Sequence, residues 1–182
     1  MDDIVLQAMH KWPDVPACTG WLGLDERGDW YMRDATTQKS GAFQSSDVSA
    51  RGSRLEHEKL IAFIGRNYTY DAQGRWYFQN GPQQVFVELR AAPWILRLQQ
   101  HGDCVTHTGL PVQVQGVWTD ERGYLYMNTQ LGLGLVHSQD MLHAANWLEH
   151  SKAPVQDCRT ENLPQQFGFV RSPQYESRDV QY

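Results

Sequence analysis

The chain has 182 residues and a formal net charge of −5, is 41% apolar and 20% charged, and carries seven Trp, eight Tyr and six Phe. That much apolar surface is enough to bury the core of an ordinary domain, and it excludes global disorder. The sixteen basic residues never form a run of three, so the basic face of a nucleic-acid binder is missing, and no apolar stretch approaches the roughly 18 residues of a membrane span.

The opening "MDDIVLQAMHKWPD" is acidic, and Gln7 and His10 break its apolar run, unlike a signal or transit peptide. A cytoplasmic location is therefore expected. Cys18, Cys104 and Cys158 form no C-x-x-C pair, which fits a reduced pool. Residues 2–11 are predicted to be helical, with Ile4, Val5, Ala8 and Met9 near one face, until Pro13 and Pro16 end the helix.

Residues 20–33 read as a hairpin around "LDERGDWYM", Leu24–Met32. The Ser-, Thr- and Gly-rich stretch 34–53 reads as a long mobile loop with Phe43 as its only large apolar anchor. A helix follows. Ser53 and Glu56 have capping-box spacing, Leu60, Ile61, Phe63 and Ile64 form the buried stripe, and Gly65 or Asn67 stops it.

A second hairpin is expected around "YDAQGRWYF", Tyr70–Phe78, and then the strand "QVFVEL", which Pro93 closes off. Short strands are expected near 94–98, 104–108 and 112–118, with a third hairpin around "TDERGYLYM", Thr119–Met127, and a strand "GLGLVH". Residues 139–150 read as a last helix, capped by Ser138, with Leu142, Ala145 and Leu148 inward. Residues 1–150 are expected to form one globular unit, with a division into two small subdomains near 91–103 left open. Residues 151–182 read as an extended or disordered tail.

The three hairpins share D-x-x-G followed by an alternating aromatic strand. Asp accepts backbone N–H bonds in the turn, and Gly supplies the positive φ of a type I turn with a bulge. Period two puts Trp30, Met32, Trp76, Phe78, Leu125 and Met127 on one face, the expected core, and Tyr31, Tyr77 and Tyr126 on the other, half-buried with wet hydroxyls. The segments between the hairpins do not match one another, so a propeller or solenoid is not indicated. The predicted fold class is α+β: bent antiparallel sheets built from D-x-x-G hairpins, packed with an N-terminal, a central and a C-terminal helix.

The order of motifs is G-x-W-Y (Gly28–Tyr31), the helix with "LIAFI" (Leu60–Ile64), "DAQGRWYF" (Asp71–Phe78), "VFVEL" (Val85–Leu89) and "APW" (Ala92–Trp94). Over residues 28–94 this resembles a proteobacterial family known as the domain of unknown function number 1285. "KWPDVPACTGWLGLD" (Lys11–Asp25) and the third hairpin also look like a set of uncharacterised proteobacterial proteins. The loop at 34–53 is longer here, and Ala91 replaces an acidic residue of the family pattern. The resemblance implies small α+β domains with bent antiparallel sheets, and it brings no catalytic residue.

"HGDCVTH" spaces His101, Cys104 and His107 by three, which suits metal ligands in type. On a strand, however, such positions face opposite sides, so no metal site is assigned. Cys104 has an acidic neighbour and no nearby cation, which points to a structural thiol. His57, between Glu56 and Glu58, lacks the second His of a zinc-protease helix, because Ile61 occupies that place. "GLGLV" is no nucleotide loop, and no cofactor is expected.

The sequence therefore predicts a binding or regulatory module, leaning away from an enzyme, with a protein partner, a small-molecule ligand or a second copy of itself, and with neither nucleic acid nor membrane. Tyr31, Tyr77, Tyr126, His57, Cys104 and His107 are the candidate ligand-binding residues. The alternative is a small-ligand binder or an enzyme with an unfamiliar pocket, which would use His57, Cys104 and His107 with aromatic walls.

Overall fold

The computed structural model describes residues 1–176. In chain order the elements are α1 (Asp3–Lys11), β1 (Cys18–Leu24), β2 (Trp30–Met32), α2 (Ala35–Lys39), β3 (Ser53–Arg54), α3 (Glu58–Arg66), β4 (Tyr68–Tyr70), β5 (Trp76–Asn80) and β6 (Gln83–Leu89). Then come β7 (Trp94–Leu98), β8 (Cys104–Thr106), β9 (Pro111–Val112), β10 (Val114–Thr119), β11 (Leu125–Thr129), β12 (Gly132–Val136), α4 (Met141–Ser151), β13 (Val155–Asp157), α5 (Leu163–Phe167) and α6 (Pro173–Glu176). The fold is α+β, as expected. No helix among the described residues is long and apolar enough to cross a membrane.

The chain divides into two compact units. One comprises Met1–Asp25, Asp29–Arg90 and, among the described residues, 169–176, and the other Glu26–Gly28 and Ala91–Gly168. The first holds a six-stranded sheet of order β3-β2-β1-β6-β5-β4, and the second a seven-stranded sheet of order β13-β10-β11-β12-β7-β8-β9.

These two orders are one topology written twice, with β13 added beyond β10. In each sheet a hairpin (β1–β2, β7–β8) meets a three-stranded meander (β4–β5–β6, β10–β11–β12) through one parallel pair, β1 with β6 and β7 with β12. The registers agree residue for residue. Tyr77 faces Phe86 and Phe78 faces Val85, and 49 residues later Tyr126 faces Leu135 and Met127 faces Gly134. Leu22 faces Met32 and Leu24 faces Trp30, and 74 residues later Leu96 faces Thr106 and Leu98 faces Cys104. The recurring hairpins thus belong to a duplicated sheet whose connecting segments differ: the first unit adds α2, the 40–52 segment and α3. The fourth hairpin turn, Gln99–Gly102, keeps the backbone bonds of the others, Gln99 N–H to Asp103 O and Gly102 N–H to Gln99 O, without their Asp.

The core of the first unit is built on Leu22, Leu24, Trp30, Ile64, Trp76, Phe78, Val87 and Leu89, and that of the second on Ile95, Leu96, Val117, Tyr126, Met127, Leu133 and Leu135. Each lies at or below 6% exposure, and burial at about 25 cal/mol per Å² makes this the main stabilising contribution. Met32 departs from expectation: it is 51% exposed, because β2 ends there and, on the side away from β1, only the two-residue β3 lies beside it.

Three local expectations are corrected. Residues 34–53 are not an open loop. They carry α2 and a 3-10 turn at Val48–Ala50, with Phe43 1% exposed. Ser53 does not cap α3, because its backbone is taken into β3 opposite Met32; His57 caps instead, its Nδ1 accepting the Leu60 N–H at 3.2 Å. The last helix begins later, at Met141, after a 3-10 turn whose cap is His137 rather than Ser138, and its buried residue is Ala144, with Leu142 71% exposed.

Residues 151–176 are not an extended tail either. β13 pairs parallel with β10, Leu163 is buried, and Phe169–Tyr175 returns to the first sheet through Leu89 N–H to Arg171 O and Val170 N–H to Gly74 O. The rest of the predicted tail, 177–182, lies outside the described residues.

Candidate functional site

The D-x-x-G turns form as their chemistry requires. Asp71 Oδ1 accepts the Gln73 and Arg75 N–H groups, both at 3.0 Å, and Asp120 Oδ1 accepts those of Arg122 and Tyr124 at 3.0 and 2.9 Å. Gly74 and Gly123 sit at φ +76° and +79°, where a side chain would be strained. Asp25 accepts from Asp29 N–H at 2.9 Å in the same way.

The three tyrosines that follow these turns have different surroundings. Tyr31 and Tyr77 belong to the first unit and Tyr126 to the second. Tyr31 is half-buried against Phe43, 5.9 Å between ring centres, with the Arg51 guanidinium 5.8 Å away, and burial and then the Asp25 charge push its phenol pKa up. Tyr77 is buried edge-on to Phe86. Tyr126 is 1% exposed, and its hydroxyl donates to Asp120 Oδ2 at 3.3 Å. Two of the three hydroxyl-bearing rings expected to be half-exposed are therefore core.

His57 is the cap of α3 and lies on the surface. Cys104 is buried, and desolvation, then the Asp140 charge, pushes its thiol up to about 11, so at neutral pH it carries its proton. His107 accepts the Ile95 N–H at Nδ1, 3.2 Å, which places the proton on Nε2, and its ring packs on Trp94 at 5.7 Å. Enclosure of the ring holds its pKa down at about 3. At pH 7 a protonated Cys104 thiol and a neutral His107 ring supply neither a thiolate nor a base poised near neutrality. Among the described residues no group of three or more His, Cys, Asp or Glu side chains is placed to hold a metal.

The concave feature of the first unit lies elsewhere. Between α3 and the sheet is a groove of about 470 Å³, within the size range of small-molecule pockets. Leu22, Ile64 and Phe78 form its buried floor, half-buried Leu60 and Val85 its walls, and Trp21 and Met32, 46% and 51% exposed, its rim. Cys18, Asn80 and Gln83 supply the few polar groups, and burial pushes the Cys18 thiol pKa up.

The groove follows from local geometry. β1 is interrupted by a register shift between Cys18 and Leu22, so Trp21 and Leu22 both border the same hollow. The signals in the sequence were the apolar stripe of α3 and "TGWLGL", but the sequence does not reveal that the stripe leaves part of the sheet uncovered. None of the six sequence candidates lines this groove.

Comparison with known proteins gives family but no activity. The family model DUF2944, described as "Protein of unknown function (DUF2946)", matches residues 1–174. No curated protein matches the chain. Two solved structures are similar, both DUF1285 family proteins, the family that the motifs of residues 28–94 resemble. The protein from Silicibacter pomeroyi DSS-3 is 12% identical, with a TM-score of 0.48 over 76% of this chain and 74% of that one. The protein from Shewanella baltica OS155 is 12% identical, with a TM-score of 0.47 over 70% of this chain and 91% of that one.

Proposed function

The chain belongs to the DUF2944 family of proteins of unknown function, and from that premise we propose that it is a non-enzymatic binding module of the bacterial cytoplasm whose first unit takes a small apolar ligand between α3 and the sheet. The observation that carries this reading is the groove itself: an apolar floor and walls, a half-exposed Trp and Met at the rim, and few polar groups. Exposed apolar side chains gathered around a hollow cost free energy in water unless something covers them. The protonated Cys104 and neutral His107 support binding over catalysis. The three unpaired cysteines suit a reducing compartment.

Titration with the uncharged probe N-phenylnaphthylamine tests the proposal. Saturable fluorescence enhancement is expected. Leu60→Trp, which fills the groove from its wall, should abolish it, while Leu142→Ala on the exposed face of α4 should leave it unchanged. Absence of saturable binding, or binding unaltered in a folded Leu60→Trp variant, rejects the groove as a ligand site.

A further inference from the structure

The groove between α3 and the first sheet has a direction, and strand register supplies it. Facing residues of paired strands point to the same side of a sheet, and so do residues two apart on one strand. Asn80 faces Gln83, and Phe78 faces Val85. On the other side of β6, Cys18 faces Val85 and Leu22 faces Val87, and Met32 in turn faces Leu22. Positions 83, 85 and 87 of β6 therefore mark successive rungs of one face: Asn80–Gln83, then Phe78–Val85–Cys18, then Leu22–Met32. The first and last rungs are about 13 Å apart, at roughly 3.3 Å per residue.

All seven of these rung residues line the groove, and the rungs differ in kind. Two of them present hydrocarbon, a thioether and a thiol. The third is a pair of primary amides beside the β5–β6 turn. Cross-strand neighbours have Cβ atoms about 5 Å apart, so one small head group reaches both amides.

Both amides have hydrogen-bonding capacity left. Gln83 Nε2 donates to Pro16 O at 3.0 Å, which leaves its carbonyl Oε1. The exposed Asn80 side chain bonds to nothing among the described residues. Together they offer both acceptors and N–H donors. No Asp, Glu, Lys, Arg or His lines the groove. A carboxylate or ammonium head would give up hydration there without meeting an opposite charge. A wholly apolar ligand would leave the amide rung unused. An uncharged head with a donor and an acceptor, on a hydrocarbon body, matches every rung.

We infer that the ligand of this groove is a neutral amphiphile, a hydrocarbon chain ending in a primary amide or a hydroxyl. This head-group preference rests on the groove being the ligand site proposed above. Isothermal titration of the full chain at pH 7 with octanamide, octanoate and octylammonium tests it. Octanamide should bind saturably, and the two ions about tenfold more weakly or worse. Asn80→Leu removes a side chain that bonds to nothing else, and should cut the preference for octanamide over octanoate about threefold or more. N-phenylnaphthylamine should still bind that variant, which shows the groove intact. The preference is overturned if either ion binds as tightly as octanamide, or if it is unaltered in a folded Asn80→Leu variant. Binding of N-phenylnaphthylamine without binding of octanamide overturns the head group and leaves the groove a ligand site; binding of neither removes both.

Discussion

Asp71 and Asp120 perform the same turn chemistry with different stakes. Asp71 satisfies two backbone N–H groups and pairs with Arg75 at 2.7 Å at a partly open site. The side chain of Asp120 is fully enclosed, and besides its two N–H groups it accepts from Tyr126 Oη and, at 2.7 Å, from Thr160 Oγ1. Hydrogen bonds to charged groups contribute about 1.5–3 kcal/mol each where buried, and neutral or exposed ones less. Asp120→Ala should therefore lower stability by about 3 kcal/mol and Asp71→Ala by about 1 kcal/mol, measured by urea unfolding.

His107 gives a second residue-scale prediction. Its folded pKa near 3 lies below the ordinary 6.5, so between those values the unfolded chain binds a proton that the native chain does not. The contribution is fully present above pH 6.5 and is lost as pH falls toward 3, at about 1.4 kcal/mol per pH unit. His107→Asn keeps an acceptor for the Ile95 N–H and cannot titrate. The fall in stability from pH 7 to pH 5 should be smaller in that variant by about 2 kcal/mol; equal slopes would show that the ring is not held neutral.

At the scale of elements, the segment from Asp34 to Gly52 shows what a single sequence conceals. Its composition is that of a loop, yet it is fastened at several points. Arg33, buried, donates from Nε to Ala50 O at 2.9 Å and from Nη2 to Gly41 O at 2.6 Å, and Phe43 packs on the bare face of Gly23. Phe43→Ala should cost about 3–4 kcal/mol and open residues 40–52 to limited proteolysis in the native state; a cleavage pattern identical to that of the parent chain would show that the anchor is dispensable.

The hairpins, the central helix and the α+β class were legible because turn chemistry and side-chain period are local. The start of α3 was misread because β3 claims Ser53, a tertiary pairing that overrides a good cap. The order of residues 151–176 was hidden for the same reason: its partners, Thr119, Asp120 and Glu88, lie tens of residues away. Among site residues, Met32 was expected in the core and Trp21 was not singled out, because the hollow they border is set by tertiary packing against α3 and β1.

For the molecule as a whole, the consequential feature is the return of the chain. Residues 169–176 rejoin the first unit, although the preceding 78 residues, Ala91–Gly168, belong to the second. The joint is polar and enclosed. Glu88, unexposed, accepts from Ser172 Oγ, from Gln174 N at 3.0 Å and from Gln44 Nε2 at 3.4 Å, and Gln174 Oε1 accepts from Arg33 Nη1 at 3.4 Å. Burial raises the Glu88 pKa, while the hydrogen bonds and the Arg33 charge oppose that rise. A buried carboxylate stripped of its partners costs about 3–5 kcal/mol. Ending the chain after Gly168 removes two of those partners and the cover over β6, yet takes nothing from the second unit. Hydrogen exchange on the truncated protein should show β1 and β6 losing protection while β10, β11 and β12 keep theirs. Uniform loss across both sheets would mean that the two units unfold together, and unchanged protection would mean that the returning segment adds no stability. Glu88→Gln separates the charge from the cover. In the truncated chain, where Ser172 and Gln174 are gone, the uncharged amide should restore part of the protection of β6, by removing the one group that cannot be left buried and charged.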